Sequence, residues 1–285
     1  MKVEKIAIIG SGIMGNGISQ VASVAGYKVA LHDVAQEALD RALETIRISL
    51  GRLAKKGKLT EEDGEKVLDG IQPTTDLAAA VSGAQYVIEA VTENLELKCQ
   101  IFTEIDRISP PNTIIASNTS QYSITEIAGA TERPDRILGT HFFNPPVMMR
   151  LIEVVRGIET SEDTVETTLE IAKRMGKEVV LCADSQGFIT SRLINLWCNE
   201  AERIVEEGIA SAEDVDKACR LAFNHPMGPL ELSDFSGLDT RLNVTTALES
   251  ALGERFKPTR SVRNLVNAGR LGRKTGRGFY DYSKE

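Results

Sequence analysis

The chain of 285 residues has only three histidines, and its four cysteines are widely scattered. Cys99, Cys182, Cys198 and Cys219 include no C-x-x-C pair, which argues against a structural zinc site and for reduced thiols in a cytoplasmic setting. No apolar stretch approaches the roughly 20 residues of a membrane span. The N-terminal residues 1–6 run at once into a strand-like segment, without the layout of a signal peptide. Positive charge is in deficit: a net charge of −8 disfavours nonspecific nucleic-acid binding, so an anionic ligand would need a local basic cluster. Internal repeats and low-complexity tracts are lacking as well. No metal, nucleic-acid partner or membrane is expected.

Apolar residues make up 42% and charged residues 26% of the chain, as in a globular enzyme, and 285 residues suit two domains. Residues 3–9 form a short apolar run typical of a buried parallel strand, followed by a glycine-rich turn and a helical stretch to about Ala25. Further strand-like runs at 28–33, 86–91, 113–117, 136–141 and 151–155 alternate with helical patterns. This rhythm predicts a doubly wound, Rossmann-type α/β domain over 1–183. Residues 36–56 and 61–70 read as two charged amphipathic helices, an insertion longer than a plain crossover needs. From Ser185 strand signals nearly vanish. Helical periodicity over 187–207, 211–222 and 239–252, broken at 224–229, predicts an all-α second domain over 184–285.

G-x-G-x-x-G is a weak signal alone, but here Gly10-Ser11-Gly12-Ile13-Met14-Gly15 follows a strand and opens a helix, and Asp33 ends the next strand 18 residues after Gly15. That context reads as a dinucleotide site, with Asp33 accepting from the ribose hydroxyls and favouring NAD over NADP. A second signal is His141, where an apolar run breaks into Asn144-Pro145-Pro146, with Glu153 twelve residues later among aliphatic residues. A histidine beside a buried carboxylate makes a general base. The plainer reading is a satisfied strand-end histidine. Its place at the carboxyl end of a strand, where open α/β sheets bind ligands, weighs against that. Glu93, Asn94 and Lys98 also follow a strand, and either reach a ligand or start a helix. Ser117-Asn118-Thr119-Ser120 is equally open between a site loop and a helix cap. Arg47, Arg52, Lys55, Lys56 and Lys58 concentrate positive charge in an acidic chain, or form an ordinary solvated helix face.

Taken in order, the glycine fingerprint, the segments 93–98 and 117–120, His141-Phe142-Phe143-Asn144-Pro145, the turn 224–229 and the segment 272–280 span the chain end to end. With these motifs it resembles the L-3-hydroxyacyl-CoA dehydrogenase family, in its short bacterial 3-hydroxybutyryl-CoA form. Relatives acting on free hydroxy acids, such as carnitine or gulonate, usually lack two phenylalanines after the histidine. The resemblance implies His141 as base, oriented by Glu153, and Ser120 hydrogen-bonding the substrate oxygen near the nicotinamide. It places NAD on Gly10, Gly12, Ile13, Met14, Gly15, Asp33, Glu93, Lys98, Asn118, Ser120, Asn144 and Lys274. Ser49 and Lys56 match CoA-contacting positions, Lys98 lies near the CoA, and a homodimer is implied. The chain departs from the family at Ser191, where Asn usually helps hold the substrate carbonyl, and at Gln186, where Pro is usual. One helical turn on, Asn195, or a water held by Ser191, would supply the missing contact. Two other readings stay open: an NAD dehydrogenase of a free or unusual hydroxy acid, and a non-catalytic NAD-binding homologue.

Overall fold

A computed structural model describes residues 1–283. The chain divides into two units, one through Ser185 and one from Gln186. The first is built on eight strands: β1 Lys5–Ile9, β2 Lys28–His32, β3 Ile71–Thr74, β4 Tyr86–Glu89, β5 Ile114–Ser117, β6 Ile137–Phe142, β7 Leu151–Arg156 and β8 Glu178–Ala183. They form one sheet in the order β3-β2-β1-β4-β5-β6-β7-β8. Pairings are parallel except β6 with β7, which is antiparallel. The crossovers carry α1 Ile13–Val24, α2 Gln36–Lys55, α3 Glu61–Asp69, α4 Leu77–Val81, α5 Leu95–Ile108, α6 Ile124–Ala128 and α7 Glu162–Arg174. The central strands are covered on both faces, which is why they read as unbroken aliphatic runs. The doubly wound α/β domain is present as expected.

Two of its strands were not foreseen. β3 contains Pro73 and β8 is largely exposed, and both are edge strands, where a weak apolar pattern suffices. The pair α2–α3, read as an insertion, turns out to be the β2–β3 crossover itself. Leu39, Ala42, Ile46 and Leu50 recur at helical spacing and bury into the same core as Ile18 and Leu31. The charged face of α2 is left outside, with Arg47, Arg52, Lys55 and Lys56 exposed.

The division after Ser185 lies two residues beyond the expected boundary at 183/184. Asp184 explains it: its carboxylate accepts from Ser123 Oγ and from the amides of Ile124 and Thr125, capping α6 of the first unit.

The second unit is helical: α8 Thr190–Glu206, α9 Ala212–Ala222, α10 Pro229–Ser236, α11 Leu238–Leu252 and α12 Arg260–Asn267. α10 and α12 are short and escaped the periodicity reading. Asp216 caps α10 through the amides of Leu230 and Glu231, and a Cβ on Gly228 would lie 2.3 Å from Asp216. Asp234 takes the amides of Phe279 and Tyr280, and a Cβ at Gly278 would lie 1.9 Å from its Oδ1. Gly228 in segment 224–229, and Gly272 and Gly278 in segment 272–280, are thus required by close packing against two buried aspartates.

Candidate active site

At the carboxyl end of β1 the chain turns through Gly10, whose φ of +100° is one that side chains rarely adopt. Gly15 must also lack a side chain, since a Cβ there would sit 1.8 Å from the Gly10 carbonyl oxygen. Gly12 differs: a Cβ on it would meet nothing within 4 Å. The space beside it is therefore open to a ligand. α5 and α3 begin on Asn94 and Thr60, whose side chains accept from backbone amides, whereas α1 begins on Gly12 with no side-chain cap. Its first amides are available to an anion, and the helix dipole favours one there.

Asp33 follows β2 beside this turn. Its Oδ2 accepts from Ser11 N at 2.8 Å and Ser11 Oγ at 2.7 Å, and its Oδ1 from Ala35 N at 3.3 Å. Burial pushes its pKa up, but these hydrogen bonds more than offset it, so the carboxyl stays below the usual aspartate range. A groove of about 240 Å³ runs past Ser11, Gly12, Asn16, Asp33, Arg41 and Thr45. An open glycine edge, an uncapped helix and an ionised carboxylate fit the phosphate and ribose of a dinucleotide.

On the other side of the sheet centre, the antiparallel register of β6 and β7 sets His141 directly opposite Glu153. Cross-strand neighbours have adjacent side chains, and His141 Nδ1 lies 2.6 Å from Glu153 Oε2. Glu153 is fully buried and the imidazole nearly so. Twelve residues of sequence thus become one hydrogen bond because a hairpin folds them together. Phe143 lies against the imidazole in a tilted arrangement, 4.5 Å between centroids, whereas Phe142 points into the core.

Between these two features lies a third group. Glu93 Oε1 accepts from Ser120 N at 2.6 Å and Ser120 Oγ at 3.1 Å, and Thr119 Oγ1 bonds the same carboxylate. Asn118 Oδ1 accepts from Phe142 N at 2.9 Å, tying this loop to the strand that carries His141. The 117–120 segment therefore does not cap α6, whose cap is Ser123.

The comparisons with known proteins agree end to end. Residues 5–185 match the family model of the 3-hydroxyacyl-CoA dehydrogenase NAD binding domain, and residues 187–282 that of its C-terminal domain. The chain belongs to the 3-hydroxyacyl-CoA dehydrogenase family. It is 45% identical over 286 residues to a probable 3-hydroxybutyryl-CoA dehydrogenase of Bacillus subtilis, covering 100% of this chain and 99% of that one. The solved structure of (S)-3-hydroxybutyryl-CoA dehydrogenase from Ralstonia eutropha superposes with a TM-score of 0.96 at 43% identity, covering 99% of this chain and 100% of that chain. A 3-hydroxyadipyl-CoA dehydrogenase of Escherichia coli is 42% identical over 287 residues, 100% of this chain and 60% of that protein.

As a member of this family the chain is an NAD-dependent oxidoreductase, and most of the residues singled out in its sequence gather at the carboxyl edge of the sheet. Three do not behave as expected. Lys98 is 1% exposed and its Nζ pairs with Glu89 at 2.7 Å and Glu93 at 3.3 Å, so its ammonium is committed inside the protein rather than offered to NAD or CoA. Asn195, expected to replace a family asparagine, donates to the Ser191 carbonyl at 2.6 Å and accepts from Arg241 at 2.8 Å. Both ends of its amide serve the interior of the helical unit, which corrects its assignment as a substrate contact. Lys274 pairs with Asp239 at 2.6 Å on the surface of that unit. Asn144 is exposed in the turn after β6, Ser191 is half-buried in the first turn of α8, and Ser49 is half-buried on α2. Lys56, which follows α2, is exposed; with Arg52, Lys55 and Lys58 it has no ion pair among the described residues. No group of side chains fit to hold a metal occurs among the described residues, and no helix there is long and apolar enough to cross a membrane.

The residue that sequence reasoning passed over is Glu89. It stands in an apolar strand as Glu153 does, and is equally buried. The same signal, a carboxylate flanked by aliphatic residues, marked it.

Proposed function

We propose that this dehydrogenase oxidises L-3-hydroxyacyl-CoA thioesters reversibly to 3-ketoacyl-CoA, with 3-hydroxybutyryl-CoA as the expected substrate and the His141–Glu153 pair as general base. The observation that carries the reading is the 2.6 Å contact between Nδ1 and Oε2. A carboxylate on Nδ1 fixes the tautomer and makes Nε2 the proton-exchanging atom. Nε2 takes the proton of the substrate hydroxyl, and Glu153 stabilises the imidazolium that results. When bound, NAD supplies the hydride acceptor for C3, so the alcohol loses two electrons and a proton passes to His141. Ser120 Oγ would hydrogen-bond the substrate oxygen. The amides of Ile13, Met14 and Gly15 would hold the pyrophosphate and Asp33 the ribose, with Glu93, Asn118 and Asn144 as further contacts. Ser49 and Lys56, with the unpaired basic residues around Lys56, would bind the CoA phosphates. Ser191 would shape the acyl pocket.

Leu193, Ile209, Leu221 and Phe223 of the helical unit are exposed. We assign this surplus to a homodimer contact, which a molar mass of twice the chain in light scattering supports and that of a monomer rejects. The four free cysteines suit a reducing, cytoplasmic setting. The deciding assay follows NADH oxidation with acetoacetyl-CoA against free acetoacetate and other keto acids. Activity confined to the thioester supports the proposal. Activity confined to acids would move the substrate class, and binding without turnover would make the protein a non-catalytic homologue.

A further inference from the structure

Behind Ser120 lies a charged cluster buried beneath the proposed reaction centre. Glu89 ends β4 and is completely buried. A carboxylate inside a parallel sheet is costly unless every lone pair is matched, and here it is matched on three sides. Its Oε1 accepts from Lys98 Nζ at 2.7 Å and Val91 N at 2.7 Å, and its Oε2 from Ser117 Oγ at 2.6 Å. Lys98, one turn into α5, then reaches Glu93 Oε2 at 3.3 Å. Unlike Glu89, the Glu93 side chain is 34% exposed, so its rotamer is set by the partners of its carboxylate. The buried ammonium at 3.3 Å and Thr119 Oγ1 at 3.0 Å hold Oε2 between them. The other is thereby aimed at the amide and hydroxyl of Ser120. Ser117, bonded to Glu89, in turn accepts from Thr119 N at 3.2 Å, so the loop bearing Ser120 is gripped from below as well.

We propose that Glu89 and Lys98 are a positioning pair that fixes the Glu93 carboxylate and, through it, the Ser120 hydroxyl. This rests on the reading of Ser120 as the hydroxyl that meets the substrate oxygen. Lys98 thus acts on the reaction from inside the protein and touches neither substrate nor cofactor. Misplacing a reacting group by about 1 Å can cost up to about 100-fold in rate, and loss of the clamp lets Glu93 and its serine drift within that range.

The test uses the full-length enzyme with acetoacetyl-CoA and NADH, reading kcat and thermal midpoint together. Glu89→Gln strands the buried ammonium, and is expected to lower both kcat, by about tenfold, and the midpoint. Adding Lys98→Met removes the second charge, and replacing both members of a buried pair is often close to neutral for stability. The double variant is therefore expected to recover the midpoint while kcat stays about tenfold down. Recovery of kcat together with the midpoint would reduce the pair to a folding element and overturn the proposal. Combined with Ser120→Ala, the two substitutions should slow the enzyme by no more than about twofold beyond Ser120→Ala alone, since groups acting through one contact are not additive. A fully additive loss would also overturn it. Should Glu89→Gln not fold, Ser117→Ala removes one hydrogen bond to Oε2 and should lower kcat about threefold; parental kcat there counts against the pair. Parental turnover in Ser120→Ala alone would instead remove the reading of Ser120, whatever Glu89 does.

Discussion

In the α/β unit Lys98 lies between Glu89 and Glu93 at the rim of the sheet, while in the helical unit Arg241 lies between Glu202, Asn195 and Asn199 in the interior. Both clusters bury a cation against a carboxylate at contacts of 2.7 and 2.9 Å. Their outer ends differ. The first finishes on Glu93, which is open on one side and grips a loop. The second closes on itself: Glu202 also takes Ser233 and Thr259, and Asn199 donates to the Phe256 and Lys257 carbonyls. Four helical-unit segments are thereby tied together. Burial pushes the Glu202 pKa up, only partly countered by Arg241 and by hydrogen bonds from Ser233 and Thr259. A buried ion pair of this kind fixes an arrangement at a cost in stability, whereas the first cluster is proposed to fix the loop that carries Ser120.

Substitutions that touch the two units should therefore fail in different measurements. The largest effect is expected for His141→Gln, which removes the base and should lower turnover roughly 10²–10⁴-fold while NADH binding, followed by fluorescence titration, shifts little. Near-parental turnover would dismiss the dyad. Next comes Arg241→Met, which leaves Glu202 uncompensated and should cost about 3–5 kcal/mol in urea unfolding. Adding Glu202→Gln should restore most of that stability, and the folded enzyme should keep its NADH affinity; weakened binding in that double variant would erase the contrast between the units.

A smaller effect is expected at Asp33. Exchanging it for Asn keeps the shape but halves its acceptor capacity, and should narrow the preference for NADH over NADPH by about 1.5 kcal/mol or more in competing turnover assays. The smallest concerns pH. The Asp33 carboxyl lies below its ordinary range when folded, so its contribution to stability is complete above the unfolded pKa and is lost as pH falls through the lower folded value. Ser11→Ala should therefore flatten the decline in urea stability between pH 7 and about pH 3. An unchanged decline would show that Asp33 owes nothing to the Ser11 hydroxyl.

Much of the site was legible along the chain because its residues break local patterns. His141 and Glu153 are polar residues in apolar runs, and the glycines ahead of α1 stand in a context few turns share. Glu89 carries the same mark in residues 86–91 and shows how far that reasoning extends. Asn195 and Lys98 went the other way. Helical spacing correctly puts Asn195 one turn beyond Ser191, yet Arg241, 46 positions later, takes its amide oxygen. Lys98 reads as a surface lysine near an anion site, and it is Glu89, nine residues before it, that draws it inward.

Local order in this protein is a matter of short-range chemistry. Strand and helix periods, the Gly10–Gly15 turn and the local caps Thr60 and Asn94 are properties of neighbouring residues, and the amino-acid order determined them alone. Which charged group meets which is decided only when the sheet closes. A buried ion is tolerated only where a counter-ion and further hydrogen-bond partners surround it, and that proximity depends on register and crossover rather than on position in the chain. The Glu153 carboxylate belongs to His141 because β6 and β7 run antiparallel, and no property of either residue would have dictated that partner.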